Sequence, residues 1–219
     1  MLQTSLLTDR KSLGYNNICV AEIRDNDKIL KYIDIPLQHS ENRILKLMNR
    51  KGGRESYLAL LKKLREEIPQ IAVRSTFISG FPGETEEEFE GMKVFLKEAK
   101  FANCGFFAYS REPDTAAARM SGQVHPSTKR RRVRELYEVQ REISEKFLSS
   151  FVGKSLEVLC DGIDYDKNCF VGRAYFSAPE IDGKVYFNAR EASQGETYQI
   201  KINRADSYDL YGETEDYRL

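Results

Sequence analysis

The residues richest in chemical constraint run Arg74-Ser-Thr-Phe-Ile-Ser-Gly-Phe-Pro-Gly-Glu-Thr85, followed at once by Glu86, Glu87, Glu88 and Phe89. Gly80 and Gly83 remove the Cβ where backbone must turn sharply or approach a ligand. Phe77 and Ile78 suit a covered parallel strand. Thr85 and Glu88 have the spacing of a capping box, and the three glutamates complement the positive end of a helix dipole. Strand, turn and helix start together make a ligand site at the carboxyl end of a parallel strand. The segment is not a phosphate loop, because it lacks the lysine and the Gly-Lys-Ser/Thr ending that contact phosphate and magnesium.

Other reactive side chains are sparse. His39 follows an apolar strand, where a ligand-facing residue would sit, but two histidines without a nearby partner make no triad. A structural or solvated histidine is the alternative. Arg74 needs an anion if it points inward and is simply exposed if it lies at the rim. Phe106, Phe107 and Tyr109 read as core, with an apolar wall against an adenine as the second reading. Cys19, Cys104, Cys160 and Cys169 have no close spacing, hence neither a zinc ribbon nor a disulfide framework.

Alternating elements must position these residues. Residues 1–15 show no period and stay unassigned, and 16–27 fit a short helix. Lys31–Gln38 reads as a strand with Pro36 near its end, and 41–49 as a helix. Arg54–Glu67 is amphipathic, with Tyr57, Leu58, Leu61 and Leu64 at helical spacing and Pro69 beyond its end. A strand at 72–79, a helix at 86–97 and a strand at 105–109 complete three strands alternating with helices. That order predicts right-handed crossovers and a parallel sheet. Residues 127–149 form one long helix whose cluster Lys129, Arg130, Arg131, Arg132 and Arg134 reads as a solvated surface. After Gly153 come five short strands (155–159, 169–175, 184–188, 197–202, 209–213) separated by turn residues, the pattern of a small antiparallel barrel of the oligonucleotide-binding kind. The domain boundary falls near residue 150.

The 219 residues carry a formal charge of zero that hides an asymmetry. From Phe151 onward there are eight basic and thirteen acidic residues, a balance of −5, so residues 1–150 carry +5. An acidic barrel repels a phosphate backbone and attracts a basic protein surface; an ordinary solvated face has the same look. No run approaches the ~18 apolar residues that span a membrane, and the polar start has no signal-peptide pattern, which predicts the cytosol.

Together the motifs resemble a known family. Ile33-Asp-Ile-Pro-Leu-Gln-His39, Leu47-Met-Asn-Arg50 and the stretch from Arg74 to Glu84 are similar to the radical S-adenosylmethionine methylthiotransferases. Tyr109-Ser-Arg-Glu112 and Thr115-Ala-Ala117 resemble the segment after the last barrel strand. Gly172-Arg173 with Ala178-Pro-Glu-Ile-Asp-Gly183 resembles the TRAM domain of the RimO branch. The resemblance runs from about Asp27 to Glu213. His39 and the Ala-Pro-Glu-Ile-Asp-Gly motif favour RimO, whose members insert a methylthio group at the β-carbon of an aspartate in a small-subunit ribosomal protein. The sister MiaB branch modifies a tRNA adenosine. A non-catalytic fragment that binds the ribosomal protein is the remaining alternative.

The resemblance implies an α/β plus all-β chain: residues 1–150 as the carboxyl-terminal half of a radical S-adenosylmethionine partial (β/α) barrel, and 151–219 as a five-stranded TRAM barrel. It implies S-adenosylmethionine and two [4Fe–4S] clusters in the intact enzyme, a basic ribosomal protein as partner rather than RNA, and a monomer. Gln38, His39, Arg74, Ile78, Gly80, Glu84, Phe106 and Tyr109 become the cofactor-binding candidates, with Gly80 clearing space for adenine. Glu180 and Asp182 become candidates for the substrate. No catalytic or metal-ligating residue is assigned, because the family's Cys-x3-Cys-x2-Cys motif is absent from this sequence. The chain departs from the family at Asp114, where glycine is frequent, and at Ser177, where aspartate is. Residues 1–20 match poorly and read as a truncated or frame-disturbed start. An unpaired strand edge is expected along residues 31–38.

Overall fold

A computed structural model describes residues 2–5 and 17–218. Backbone contacts divide the chain into two units, Met1–Gln140 and Arg141–Leu219. The division falls between Gln140 and Arg141, within the helix Pro126–Ser149.

Unit 1 contains a four-stranded, all-parallel sheet in the order β1 (Leu2–Ser5), β2 (Ile29–Gln38), β3 (Ala72–Ser79), β4 (Asn103–Ala108). Between the strands run α1 (Asn17–Asp25), α2 (Asn42–Leu47), α3 (Arg54–Glu67) and α4 (Glu86–Ala99). The short α5 (Ala116–Arg119) and the long α6 (Pro126–Ser149) follow. β1 lies among residues with no sequence period. It pairs with β2 through Ser5 and Asp34, which corrects the expectation of an open edge along 31–38.

Two strands show why the sheet has one packed face. Burial alternates along β2 and β3, with Ile33, Ile35, Val73, Ser75 and Phe77 on the buried side. Phe77 sits among Phe95, Phe101 and Phe106 at ring-centroid distances of 6.2, 5.7 and 6.0 Å. Offset and edge contacts of this kind add to the burial of large rings. The opposite face, with Asp34, Pro36, Arg74, Thr76 and Ile78, is half-buried, and Phe107 beside them is exposed.

Helix ends follow local chemistry. α2 stops two residues earlier than its periodicity suggests, because Asn49 turns left-handed (φ 55°) and Arg50 N–H returns to the Leu45 carbonyl at 2.9 Å. This is a Schellman closure. α4 ends with Lys100 at φ 50°. Among the described residues no helix is long and apolar enough to cross a membrane.

Unit 2 is a closed barrel in the order β5 (Ser155–Asp164), β6 (Cys169–Arg173), β7 (Val185–Asn188), β9 (Leu210–Thr214), β8 (Thr197–Ala205). A 3-10 turn, Glu215–Arg218, follows. The purely antiparallel expectation needs one correction: β7 and β9 run parallel, from Val185 beside Leu210 to Asn188 beside Glu213. Gly172 and Gly212 allow close approach, since a Cβ on either would press into a neighbouring strand's backbone.

Candidate functional site

The turn after β3 is held by side chains from three helices. Gly80 and Gly83 have φ of 78° and 80°, conformations that favour glycine. The expected capping box is present: Glu88 N–H donates to Thr85 Oγ1 (3.2 Å) and Thr85 N–H to Glu88 Oε2 (3.0 Å). Arg43 of α2 clasps Glu88 with two bonds of 2.7 and 2.6 Å and donates to the Gly83 carbonyl at 2.7 Å. Burial pushes the Glu88 carboxyl up, but Arg43 and the Thr85 N–H hold it below the ordinary glutamate range. Gly83 N–H also donates to the Gly122 carbonyl at 2.8 Å, fastening the turn to the segment before α6.

Glu84 is the centre of this end of the sheet, and its side chain is 0% exposed. Its Oε1 accepts from Arg132 (2.7 Å) and Ser79 Oγ (3.1 Å). Its Oε2 accepts from Gly80 N–H (2.7 Å), Phe81 N–H (3.3 Å) and His39 Nε2 (3.4 Å). His39 Nδ1 accepts from Glu41 N–H at 3.1 Å, so the proton resides on Nε2. Arg132 is 4% exposed and also meets Glu86 at 2.8 Å. Bonds from Arg132 and Arg131 hold the Glu86 carboxyl below its usual range. Burial of the Glu84–Arg132 pair is tolerable because the carboxylate's remaining lone pairs are filled.

The candidate residues therefore separate. Gln38, Gly80, Glu84, His39 and Tyr109 gather at the carboxyl ends of β2, β3 and β4. Arg74 does not join them: it lies five residues before Ser79, about 16 Å down the strand, and pairs with Asp34 directly beside it at 2.7 Å. His39 and Glu84 are packed into each other and leave no surface for a ligand. The space beside Gly80 is not open either, because a Cβ there would lie 2.5 Å from Lys129 Cγ; the glycine admits the lysine stem. Phe106 points into the covered face (3% exposed) and Phe107 into the open one (59%), a consequence of the two-residue period of a strand. Ile78 lies on the open face, in register with Phe107.

Gln38 is strained. Its φ is 71°, where a side chain with a Cβ sits uneasily, and a register shift falls between Ile35 and Gln38. Such strain gathers where a site over-determines the backbone. Gln38→Gly is expected to raise stability by about 0.5–1 kcal/mol, relief of left-handed strain less the added freedom of the unfolded chain, read from the urea midpoint at constant slope. Asp114 has a φ of 64°, in the left-handed region that favours glycine.

In unit 2, Asp182 accepts from Ala178 N–H at 2.9 Å and so closes its own loop, while Glu180 is exposed at φ 62°. Both lie in one loop, but Asp182 is engaged there and Glu180 is free to face a partner. On the barrel wall Tyr186 and Tyr211 stack at 5.5 Å, with Lys167 3.3 Å from the first ring centre and Arg204 3.6 Å from the second. Burial pushes the Tyr175 hydroxyl up to about 12.

Cys104 lies in β4, whereas Cys160 and Cys169 lie in the barrel, and no three His, Cys, Asp or Glu side chains gather among the described residues.

Residues 16–96 match the radical SAM superfamily and residues 152–214 match the TRAM domain. A parallel sheet followed by a closed five-stranded barrel thus accompanies a radical SAM region and a TRAM domain. The chain is 47% identical over 195 residues to a protein of Thermoanaerobacter sp. (strain X514) named ribosomal protein uS12 methylthiotransferase RimO. It is 44% identical over 195 residues to the protein of that name from Carboxydothermus hydrogenoformans. Each match covers 89% of this chain and 44% of the relative, so the chain spans less than half the length of these curated relatives. Over 89% of its length the chain is thus similar to part of proteins named as RimO methylthiotransferases.

Arg132, Asp34 and Lys129 are the residues of this region that the sequence reading missed. Arg132 had a signal: with Leu136 and Gln140 it forms a line at four-residue spacing, and all three are buried. A buried Glu84 also demands a cation. Asp34 and Lys129 had no signal before the strand register and the turn were known.

Proposed function

We propose that this chain is the S-adenosylmethionine-side and substrate-holding portion of an enzyme that inserts a methylthio group at the β-carbon of an aspartate in a small-subunit ribosomal protein in the cytoplasm. The observation that carries this reading is the continuous similarity across both units to proteins named as uS12 methylthiotransferases. The balance of −5 from Phe151 onward supports a basic protein as the partner in preference to RNA. At the sheet's carboxyl end, the Gln38 amide, the Tyr109 hydroxyl and the apolar Ile78 and Phe107 suit an amino-acid and nucleoside ligand. S-adenosylmethionine bound there would supply the sulfonium-linked methyl and adenosyl groups. The residues of this chain would bind and orient it, while Glu180 would face the partner.

The sequence holds no Cys-x3-Cys-x2-Cys motif for the electron-delivering cluster, so alone the chain should not cleave S-adenosylmethionine reductively. After reconstitution with iron and sulfide, the purified chain is expected to show no [4Fe–4S] absorption and no 5′-deoxyadenosine, yet to retain uS12 in a pull-down. Cluster absorption with 5′-deoxyadenosine would overturn the first expectation. Loss of uS12 binding, with tight and strongly salt-dependent RNA binding in its place, would move the assignment to the tRNA branch.

A further inference from the structure

The cations near the sheet's carboxyl end are almost all matched. Arg43 meets Glu88, Arg131 meets Glu86 and Glu135, and Arg132 meets Glu84 and Glu86. Lys129 has no such match: its Nζ donates to the Tyr109 carbonyl (2.9 Å) and lies 4.8 Å from the centre of the Tyr109 ring, and it forms no ion pair among the described residues. The ammonium is also held in place. Its stem crosses the turn against Gly80, and burial, with no carboxylate in compensation, pushes the amine below the ordinary lysine range.

Tyr109 brings a second unmatched group. Its N–H is fixed to the Ser79 carbonyl at 2.9 Å, and its ring meets Phe81 edge-on at 5.3 Å. Its hydroxyl oxygen is buried without a hydrogen-bond partner. A buried hydroxyl in that state loses its hydration with nothing gained in exchange. A cation without an anion and a hydroxyl without an acceptor, on touching side chains, are complementary to the same chemical group.

We propose that Lys129 and the Tyr109 hydroxyl receive a carboxylate at the carboxyl end of β4. The assignment rests on the proposed function, in which this end of the sheet faces both S-adenosylmethionine and the target aspartate. Either could supply the carboxylate, one from its amino-acid moiety and the other from its side chain. The ammonium and the hydroxyl each donate one hydrogen bond to the ionised acceptor, and only the ammonium adds a charge of its own. These are binding and positioning residues, and no bond to them forms or breaks.

The test uses the whole chain with isotopically labelled lysine side chains, the Lys129 signal being identified by its loss in Lys129→Gln. Acetate is expected to move that signal saturably, and acetamide to leave it unmoved. Tyr109→Phe should weaken the acetate response roughly threefold to tenfold, the worth of one hydrogen bond, and Lys129→Arg should retain acetate protection of the fold against urea where Lys129→Gln loses it. A purely structural Lys129 would show no saturable acetate response: a signal that behaves like that of the exposed Lys62 overturns the proposal. Paired titrations then identify the source, S-adenosylmethionine against its decarboxylated form and an aspartyl peptide against its asparaginyl counterpart. If acetate saturates the site and neither sulfonium compound binds, the carboxylate site stands and the S-adenosylmethionine reading falls. If S-adenosylmethionine binds while the Lys129 signal stays still, the reading stands and the carboxylate site falls.

Discussion

Glu84→Gln is expected to destabilise unit 1 by about 3–5 kcal/mol, the range for breaking a buried charge pair from one side. The substitution keeps the shape and removes the charge. The hydrogen bonds to both oxygens of Glu84 come from donors: Arg132 and Ser79 on one, Gly80, Phe81 and His39 on the other. Whichever side receives the new NH2 group, it faces N–H or O–H groups aimed at an acceptor. Arg132 is left buried with only the half-exposed Glu86 as counter-charge. The melting temperature should fall by roughly 10 °C. Adding Arg132→Met to the glutamine variant should recover at least about 1 kcal/mol relative to additivity, as expected of residues in one network. A loss below about 1 kcal/mol for the single variant would show that the carboxylate is not what holds the turn.

The second large effect belongs to the barrel. Gly183→Ala is expected to cost about 3 kcal/mol, the upper end of ordinary overpacking. A Cβ on Gly183 would overlap the Tyr208 carbonyl oxygen and lie 2.7 Å from its carbon. Both are backbone atoms, so no rotamer change relieves the clash. The approach is close because Lys184 N–H donates to Asp209 Oδ1 (2.7 Å) and Leu210 N–H to the Lys184 carbonyl (2.9 Å). These bonds start the parallel ladder between β7 and β9, so hydrogen exchange at Val185 and Leu210 should accelerate with the loss of stability. Gly195→Ala is the control: its φ is 89° but nothing lies within 4 Å of the added methyl. It should cost only left-handed strain, about 1–2 kcal/mol. Equal losses in the two variants would place the origin of the effect in backbone conformation and not in the contact with Tyr208.

Elements bounded by punctuation were readable from the residues. Arg54–Glu67 lies between Gly53 and Pro69, and the helix at both those limits is the one observed. Ala72–Ser79 was equally bounded, and Thr85 with Glu88 announced the start of α4. The five barrel strands appeared near their expected places because turn residues separate them. What escaped the sequence was set by tertiary register. Glu84 and Arg132 are 48 residues apart, and nothing local says they meet. The basic run of α6 looked solvated because consecutive helical residues point to different faces, yet Arg132 turns inward. Phe106 and Phe107 could be assigned to opposite faces only once the phase of β4 was known. At the site, the cluster of strand ends was legible, whereas the division between packed residues and those still facing open space was not.

The parallel pairing of β7 with β9 also dictates when the barrel can exist. β9 lies between β7 and β8 in the closed order, so no polypeptide shorter than about residue 210 can complete the ring. At ordinary synthesis rates, β5 has been made for about 2.5–10 s before β9 is finished. During that interval the β5–β6 hairpin and the nascent β7 present an unclosed edge, the state in which strands pair with the wrong neighbour.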